Sequence, residues 1–122
     1  MNNRFVVTIT NAANDPDKAT VGMVIANAAA ASGKEVLVFL SNEGVRLAKI
    51  GFGEEIAQEG FAPMTELLSN FALNGGTLLV CAPCAKVRGV GELELVAGAK
   101  MGGGAGLVEF MTAEGAVASV TY

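Results

Sequence analysis

Short apolar runs typical of β-strands alternate along this 122-residue chain with stretches that have helical periodicity. The predicted strands cover residues 4–10, 35–40, 77–81, 93–97 and 117–121. Because the runs are apolar on both faces, they are typical of parallel strands covered by helices on each side. We therefore predict an α/β fold: a three-layer α/β/α single domain over residues 1–122, built on a mostly parallel five-stranded sheet.

The first predicted helix has sequence signals at both of its ends. Asp15 suits the N-cap, Pro16 suits the first helical position, and Gly33 is placed to end the helix. Further helices are predicted over residues 45–50, 63–73, 85–90 and 102–112, with a loop or a short helix over residues 51–61. In the last helix the residues expected to face inward are Leu107, Val108 and Met111.

The charge and the hydropathy of the chain argue against two classes of partner. The formal net charge is -4, and the eight Lys and Arg residues are scattered rather than clustered. Nucleic acid and anionic membrane surfaces are therefore not expected partners. The most apolar helical stretch, residues 21–31, is about half as long as a membrane span. No leader pattern is recognised at residue 1, and we expect a cytoplasmic location.

A glycine-rich segment, Gly102–Gly106, lies at the start of the last predicted helix. It does not fit the phosphate-binding pattern G-x-x-x-x-G-K-[ST]. We expect its glycines to allow close approach of the helix to the sheet or to a neighbouring subunit. The sequence predicts neither a cofactor nor a resident metal.

The chain has two cysteines, Cys81 and Cys84, and no histidine. In a reducing cytoplasm such a pair is more often reactive or metal-binding than a structural disulfide. The missing histidine excludes Cys-His and Ser-His nucleophile pairs and removes the commonest metal ligand. Cysteine is also a common core residue, so packing alone is the competing explanation for Cys81.

Cys81 is predicted to end the third strand, just before a helix that starts near Pro83. A thiol acts as a nucleophile only as the thiolate, which positive charge and helix N-terminal amides stabilise. The first turn of the helix supplies the amides, and Lys86 and Arg88 supply the charge. We therefore expect a lowered pKa for Cys81, with Cys84 as a second thiol that resolves a disulfide, binds a ligand or packs.

Three kinds of chemistry remain open for the two cysteines. Thioredoxin-type exchange places its C-x-x-C after the first core strand, usually beside Trp, but this motif lies two-thirds along a chain without Trp. A closed zinc site needs four ligands, and the motif supplies two thiolates, so carboxylates or a symmetry mate must complete it. The third chemistry is carriage of sulfane sulfur on Cys81.

A resemblance favours the third chemistry. Residues 79–90, where a strand ends in Cys81 and an Arg88-Gly89-Val90 turn follows, resemble the cysteine loop of DsrE/DsrF-like proteins. Residues 33–45, which end in a Glu43-Gly44-Val45 turn, resemble the second strand of that family. The polar loop over residues 11–18 also resembles the family's entry to its Ala-rich helix, so the resemblance covers nearly the whole chain.

The resemblance implies a persulfide on Cys81, accepted from a sulfur donor protein and passed to an acceptor protein. It also implies a homotrimer or a hexamer. Cys84 departs from the family's relay pattern, so a disulfide-forming variant stays open. Supporting roles are expected for Lys86, Arg88, Asn11 and Asn42, since loops after parallel strands meet at one edge of a sheet.

Two alternatives to sulfur carriage follow from the same residues. The chain is either a non-catalytic oligomeric module that binds a ligand or a metal through its cysteines, or a Cys81/Cys84 thiol–disulfide oxidoreductase. Sulfur added to Cys81, a stoichiometric metal, and a reversible disulfide without added sulfur distinguish the three functions.

Overall fold

The computed structural model describes residues 3–122, and within this range five parallel strands form one sheet. The strands are β1 (Arg4–Ile9), β2 (Glu35–Leu40), β3 (Thr77–Cys81), β4 (Ala99–Gly102) and β5 (Val117–Thr121). Their order across the sheet is β4-β3-β2-β1-β5. The predicted α/β class and the predicted parallel sheet are confirmed, and β3 lies between β2 and the edge strand β4.

Four α-helices connect the strands: α1 (Pro16–Ala31), α2 (Met64–Leu73), α3 (Ala82–Val87) and α4 (Gly104–Thr112). Short 3-10 helices lie at Asn42–Ala48, Phe52–Glu55 and Glu92–Glu94. The start of α1 follows its sequence signals, because the Asp15 side chain accepts a hydrogen bond from the amide of Lys18 at 3.3 Å and Pro16 is the first helical residue. Among residues 3–122, every helix is too short or too polar to cross a membrane.

The two faces of the sheet are covered by different helices. On the α1–α2 face, buried residues of β1, β2 and β3 pack with α1 and α2 into one large core. On the α4 face, a smaller buried cluster of Leu37, Phe39 and Leu79 packs against Leu107 and Phe110. Together the helices and the sheet make three layers, and the layer on the α4 face is the thinner one.

The position of the fourth strand corrects the prediction for residues 93–97. Leu93 is 98% exposed, and the backbone that follows it bonds to the 48–50 segment, with Ile50 N donating to Glu94 O and Val96 N to Ala48 O, each at 2.8 Å. A turn at Gly98, where φ is +82°, then directs the chain into β4 alongside β3. β4 has the sequence Ala-Lys-Met-Gly, which lacks the β-branched pattern of a strand.

The helix predictions need smaller corrections. The segment predicted as a helix over residues 45–50 forms the 3-10 helix Asn42–Ala48, and the helix predicted over residues 85–90 is α3 (Ala82–Val87). In α4, Leu107 and Phe110 face the sheet, whereas Val108 is 59% exposed instead of buried. The expected inward position of Val108 is therefore wrong.

Arg4 joins the start of β1 to the end of α4. Its guanidinium donates hydrogen bonds to the carbonyl oxygens of Phe110 at 2.9 Å, Ala113 at 2.5 Å and Glu114. The same group lies 5.7 Å from the centre of the Phe110 ring, and Arg4 as a whole is only 6% exposed. A buried cation thus satisfies carbonyl groups that the end of the helix leaves without partners.

Candidate functional site

The two cysteines lie where β3 ends and α3 begins, at the carboxyl edge of the sheet. Cys81 is the last residue of β3 and the N-cap of α3, and Cys84 is the third residue of the helix. Pro83 stands in the first turn, where its missing N–H removes no helical hydrogen bond. Both cysteines are free thiols and both are partly exposed.

Cys81 lies at the boundary between the two layers of helices. It packs against the large core on the α1–α2 face and also against the small cluster on the α4 face. Burial raises the pKa of the Cys81 thiol, and the neighbouring amide of Cys84 and the charge of Arg88 oppose that rise without reversing it. The predicted lowering of the pKa of Cys81 is therefore wrong, because desolvation outweighs the helix start.

Cys84 has the opposite shift. A hydrogen bond from the backbone amide of Asn42 lowers the pKa of Cys84, and hydrogen bonding to the Cys81 thiol lowers it further. Asn42 has a left-handed backbone with φ of +53°, a conformation that asparagine tolerates better than most residues. The tertiary position of Asn42, one strand away, thus favours the thiolate of Cys84 rather than that of Cys81.

A charged group of three side chains borders the cysteines. Glu43 accepts hydrogen bonds from Arg88 Nε at 2.6 Å and from Arg46 Nε at 2.8 Å. Those two bonds, with the one from Arg88 the larger cause, hold the pKa of Glu43 below its usual value. Arg88 also donates from Nη1 to the carbonyl oxygen of Cys84 at 3.2 Å. Arg88 is therefore fixed between Glu43 and α3, with its charge close to both thiols.

The turn after β2 and the turn after α3 meet at this charged group. Val45 and Val90 are both buried in the large core, which anchors the Glu43-Gly44-Val45 and Arg88-Gly89-Val90 turns. At Gly44 a Cβ would overlap the carbonyl oxygen of Ile9, so only glycine fits against the end of β1. The two turns are recognisable in the sequence, but the pairing of Glu43 with Arg88 is not, because it joins residues 45 positions apart.

Of the four predicted supporting residues, Arg88 and Asn42 lie beside the thiols, and Asn42 acts through its backbone amide. Lys86 is exposed on α3, and the positive charge that acts on both thiols is that of Arg88. Asn11 donates to Thr10 Oγ1 at 3.4 Å and accepts from Asn14 Nδ2 at 2.8 Å. These bonds organise the loop after β1 at the same edge of the sheet.

The glycine-rich segment brings α4 close to the sheet, as expected. Gly102 pairs with Cys81 in the β3–β4 register, and a Cβ on Gly102 would overlap the Leu79 side chain. A Cβ on Gly106 would lie 3.3 Å from Leu79 Cδ2. The glycines therefore let the start of α4 pack on β3, next to the strand end that holds Cys81.

Metal ligands are sparse around the cysteines. Within residues 3–122, no group of three or more His, Cys, Asp or Glu side chains is placed to hold a metal ion. At the cysteines, the described part of the chain therefore offers a metal no more than the two thiolates, fewer than a closed zinc site needs.

The sequence of this chain is similar to a known protein family and to two individual proteins. Residues 3–117 match the model of the DsrE/DsrF-like family. The uncharacterized protein MJ0989 of Methanocaldococcus jannaschii is 36% identical over 98 residues, which cover 80% of this chain and 82% of that protein. The uncharacterized protein MK0008 of Methanopyrus kandleri is 29% identical over 97 residues, covering 80% and 77% respectively.

Two solved structures share the fold. The YchN protein of Escherichia coli superposes with a TM-score of 0.77 at 18% identity, covering 98% of this chain and all of that chain. The protein of unknown function MTH1491 from Methanobacterium thermoautotrophicum superposes with a TM-score of 0.65 at 13% identity, covering 100% of both chains. At these identities the likeness concerns the fold alone.

Proposed function

The chain belongs to the DsrE/DsrF-like family, and on this premise we propose that it carries sulfane sulfur as a persulfide on Cys81. Membership of the family suggests a sulfur-relay-type role. The observation that carries the proposal is the position of Cys81, a partly exposed free thiol at the strand end that the family resemblance singled out. The donor and the acceptor in this proposal are other proteins, and the location is the cytoplasm.

The proposed transfer is an exchange between sulfur atoms. The Cys81 thiolate attacks the outer sulfur of a donor persulfide, the sulfur–sulfur bond of the donor breaks, and the donor leaves as a thiolate. An acceptor thiolate then attacks the outer sulfur on Cys81, and Cys81 leaves as a thiolate in turn. The amide of Cys84 and the guanidinium of Arg88 favour negative charge at this position.

Because burial raises the pKa of Cys81, its resting form at neutral pH is the thiol. Only the thiolate attacks, so the loading rate is expected to rise as the pH rises toward the pKa of Cys81. A protonated resting thiol is slow to react with oxidants and alkylating agents. This suits a carrier that reacts with a docked donor.

We also propose that the chain forms a homotrimer or a hexamer through the α4 face. No residue of α4 (Gly104–Thr112) is fully buried, and Val108 is exposed. A groove of about 370 Å³ lies between α4 and the sheet, and its apolar lining includes Leu37, Leu79 and Phe110. Packing of a second copy on this face would bury side chains that the single chain leaves in contact with water.

Intact-mass spectrometry after anaerobic incubation with inorganic polysulfide, followed by desalting, tests sulfur carriage. The expected result is an added sulfur atom on wild-type protein and on Cys84→Ser, located by peptide mapping on Cys81. Cys81→Ser/Cys84→Ser, the matched variant without either thiol, is expected to add none. Absence of added sulfur on Cys81 in the peptide maps of wild type and Cys84→Ser would exclude Cys81 as the carrier.

A further inference from the structure

From the placement of the two thiols three residues apart at one helix start we propose that Cys84 discharges a Cys81 persulfide by forming a Cys81–Cys84 disulfide and releasing hydrosulfide. This inference rests on the proposed persulfide and adds a role for the cysteine that departs from the family's pattern. It makes the chain a carrier whose load has a limited lifetime. An acceptor must take the sulfur before Cys84 removes it.

The geometry of the pair selects which sulfur atom Cys84 attacks. Cys84 follows Cys81 by three residues at the same helix start, and each thiol shifts the pKa of the other, so the sulfur nearest to Cys84 is Cys81 Sγ. After loading, that atom is the inner sulfur of the persulfide, and the carried sulfur is one bond farther away. The two residues stand at the N-cap and the third position of α3, where their side chains share one side of the helix start.

A comparison of the two leaving groups also favours attack on the inner sulfur, Cys81 Sγ. Attack on the inner sulfur expels hydrosulfide, whereas attack on the outer sulfur expels the Cys81 thiolate. Burial raises the pKa of Cys81, which makes its thiolate the poorer leaving group. The carried sulfur is therefore released rather than moved to Cys84.

The attacking group is prepared by residues outside α3. The Asn42 amide hydrogen bonds to Cys84, and the Arg88 charge lies close to it, so Cys84 is the thiol of the pair that ionises more readily. Glu43 holds Arg88 in place through the 2.6 Å hydrogen bond to Nε. The segment after β2 thereby contributes both a donor to the thiolate and the carboxylate that positions the cation.

The step balances in atoms and electrons. The Cys84 thiolate forms a bond to Cys81 Sγ, the bond between Cys81 Sγ and the outer sulfur breaks, and the outer sulfur leaves with the electron pair as hydrosulfide. The sulfane sulfur is reduced, and the two cysteines are oxidised to a disulfide. A dithiol reductant must then reduce the disulfide before Cys81 is loaded again.

A time course of the loaded protein tests the inference. Wild type, Cys84→Ser, Cys84→Ala and the handling control Ser69→Ala, which changes an exposed residue of α2, are loaded with inorganic polysulfide, desalted anaerobically and followed by intact mass and hydrosulfide assay. Wild type and Ser69→Ala are expected to lose the sulfur while gaining one disulfide per hydrosulfide released. Because an intramolecular attack is lost, both Cys84 variants should keep the persulfide longer by at least about tenfold.

The outcomes separate the inference from the proposed function. If neither Cys84 variant acquires sulfur on Cys81, the proposed persulfide itself fails. If both load and the wild-type persulfide decays no faster than theirs, Cys84 does not discharge it and the inference fails alone. Sulfur that leaves Cys81 and appears on Cys84 during the time course, with Cys81 as free thiol, would also overturn the inference, since it shows attack on the outer atom. Agreement between the Ser and Ala variants excludes a folding defect as the cause.

Discussion

The α1–α2 face and the α4 face of the same sheet are packed to very different extents. On the first, large side chains from three strands and two helices are almost wholly buried, among them Met23, Met64 and Phe71. On the second, a cluster of three buried residues lies under α4, whose own side chains are at most partly buried. The difference indicates that the α1–α2 face stabilises the single chain, whereas the α4 face is available for contacts beyond it.

The two cysteines stand where these faces meet. Cys81 packs against both clusters, while the environment of Cys84 is set by the loop after β2, which belongs to the well-packed side. The site thus lies between a well-packed face of the sheet and a sparsely packed one. Substitutions on the α1–α2 face are expected to affect stability and thiol ionisation, and substitutions on the α4 face are expected to affect assembly.

The largest expected difference is between two phenylalanines, one on each face. Phe71→Ala leaves a cavity in the large core and should lower the free energy of unfolding by about 3–5 kcal/mol. Phe110→Ala removes a partly buried ring and should cost roughly half as much or less. Urea unfolding at several protein concentrations measures both, and equal losses would contradict the contrast between the faces.

The next effect concerns the attachment of α4 through Arg4. Arg4→Met keeps much of the side-chain length but leaves the carbonyl groups of Phe110, Ala113 and Glu114 without their charged donor. A loss of about 2–3 kcal/mol is expected from removal of charge-assisted hydrogen bonds. Hydrogen exchange should become faster in α4 and stay slow in α2. Equal acceleration in both helices would mean that Arg4 stabilises the whole fold instead of α4.

A third comparison uses the pH dependence of the two thiols. Because the pKa of Cys84 is lowered, its thiol ionises at a lower pH than an ordinary cysteine. The pKa of Cys81 is raised, so its thiol ionises at a higher pH. Alkylation with iodoacetamide, mapped by mass spectrometry, is expected to label Cys84 first near neutral pH and Cys81 only as the pH rises. Labelling in the reverse order would refute the ionisation order assigned to the pair.

The smallest effect on unfolding, and the clearest on assembly, is expected for Val108. Because Val108 is 59% exposed, Val108→Ser should change the free energy of unfolding of the single chain by less than about 0.5 kcal/mol. Light scattering should nevertheless show weakened association if α4 forms the interface. Ile50→Ser, a matched change at a residue that is 63% exposed elsewhere, should leave association unchanged. Equal effects of the two substitutions on association would show that α4 does not form the interface.

The elements with strong local signals could be predicted from the sequence. β1, β2, β3 and β5 are apolar runs, and α1 has a capping aspartate followed by proline, so their positions agree with the predictions. β4 could not be found in this way, because its four residues carry no strand pattern and it is held by pairing with β3. Residues 93–97 have such a pattern, but their backbone pairs with residues 48–50 instead.

The position of the two cysteines at a strand end was predictable from the sequence, whereas the electrostatics around them were not. The spacing of Cys81 and Cys84 and their place at a strand end are local features that the sequence carries. Their pKa shifts depend on how deeply Cys81 is buried and on where the amide of Asn42 points, and both are consequences of tertiary packing. The ion pair of Glu43 and Arg88 likewise joins residues that lie 45 positions apart.

The pairing of β5 with β1 has a consequence for how the chain folds during synthesis. β1 leaves the ribosome long before β5, but one of its edges pairs with residues 117–121, and Arg4 bonds to carbonyl groups of residues 110–114. Until those residues emerge, that edge of β1 is an open strand, to which other chains can add. Contacts so distant in sequence also slow folding. A nascent chain of this protein is therefore expected to need protection by a chaperone at β1 until residues 117–121 have emerged.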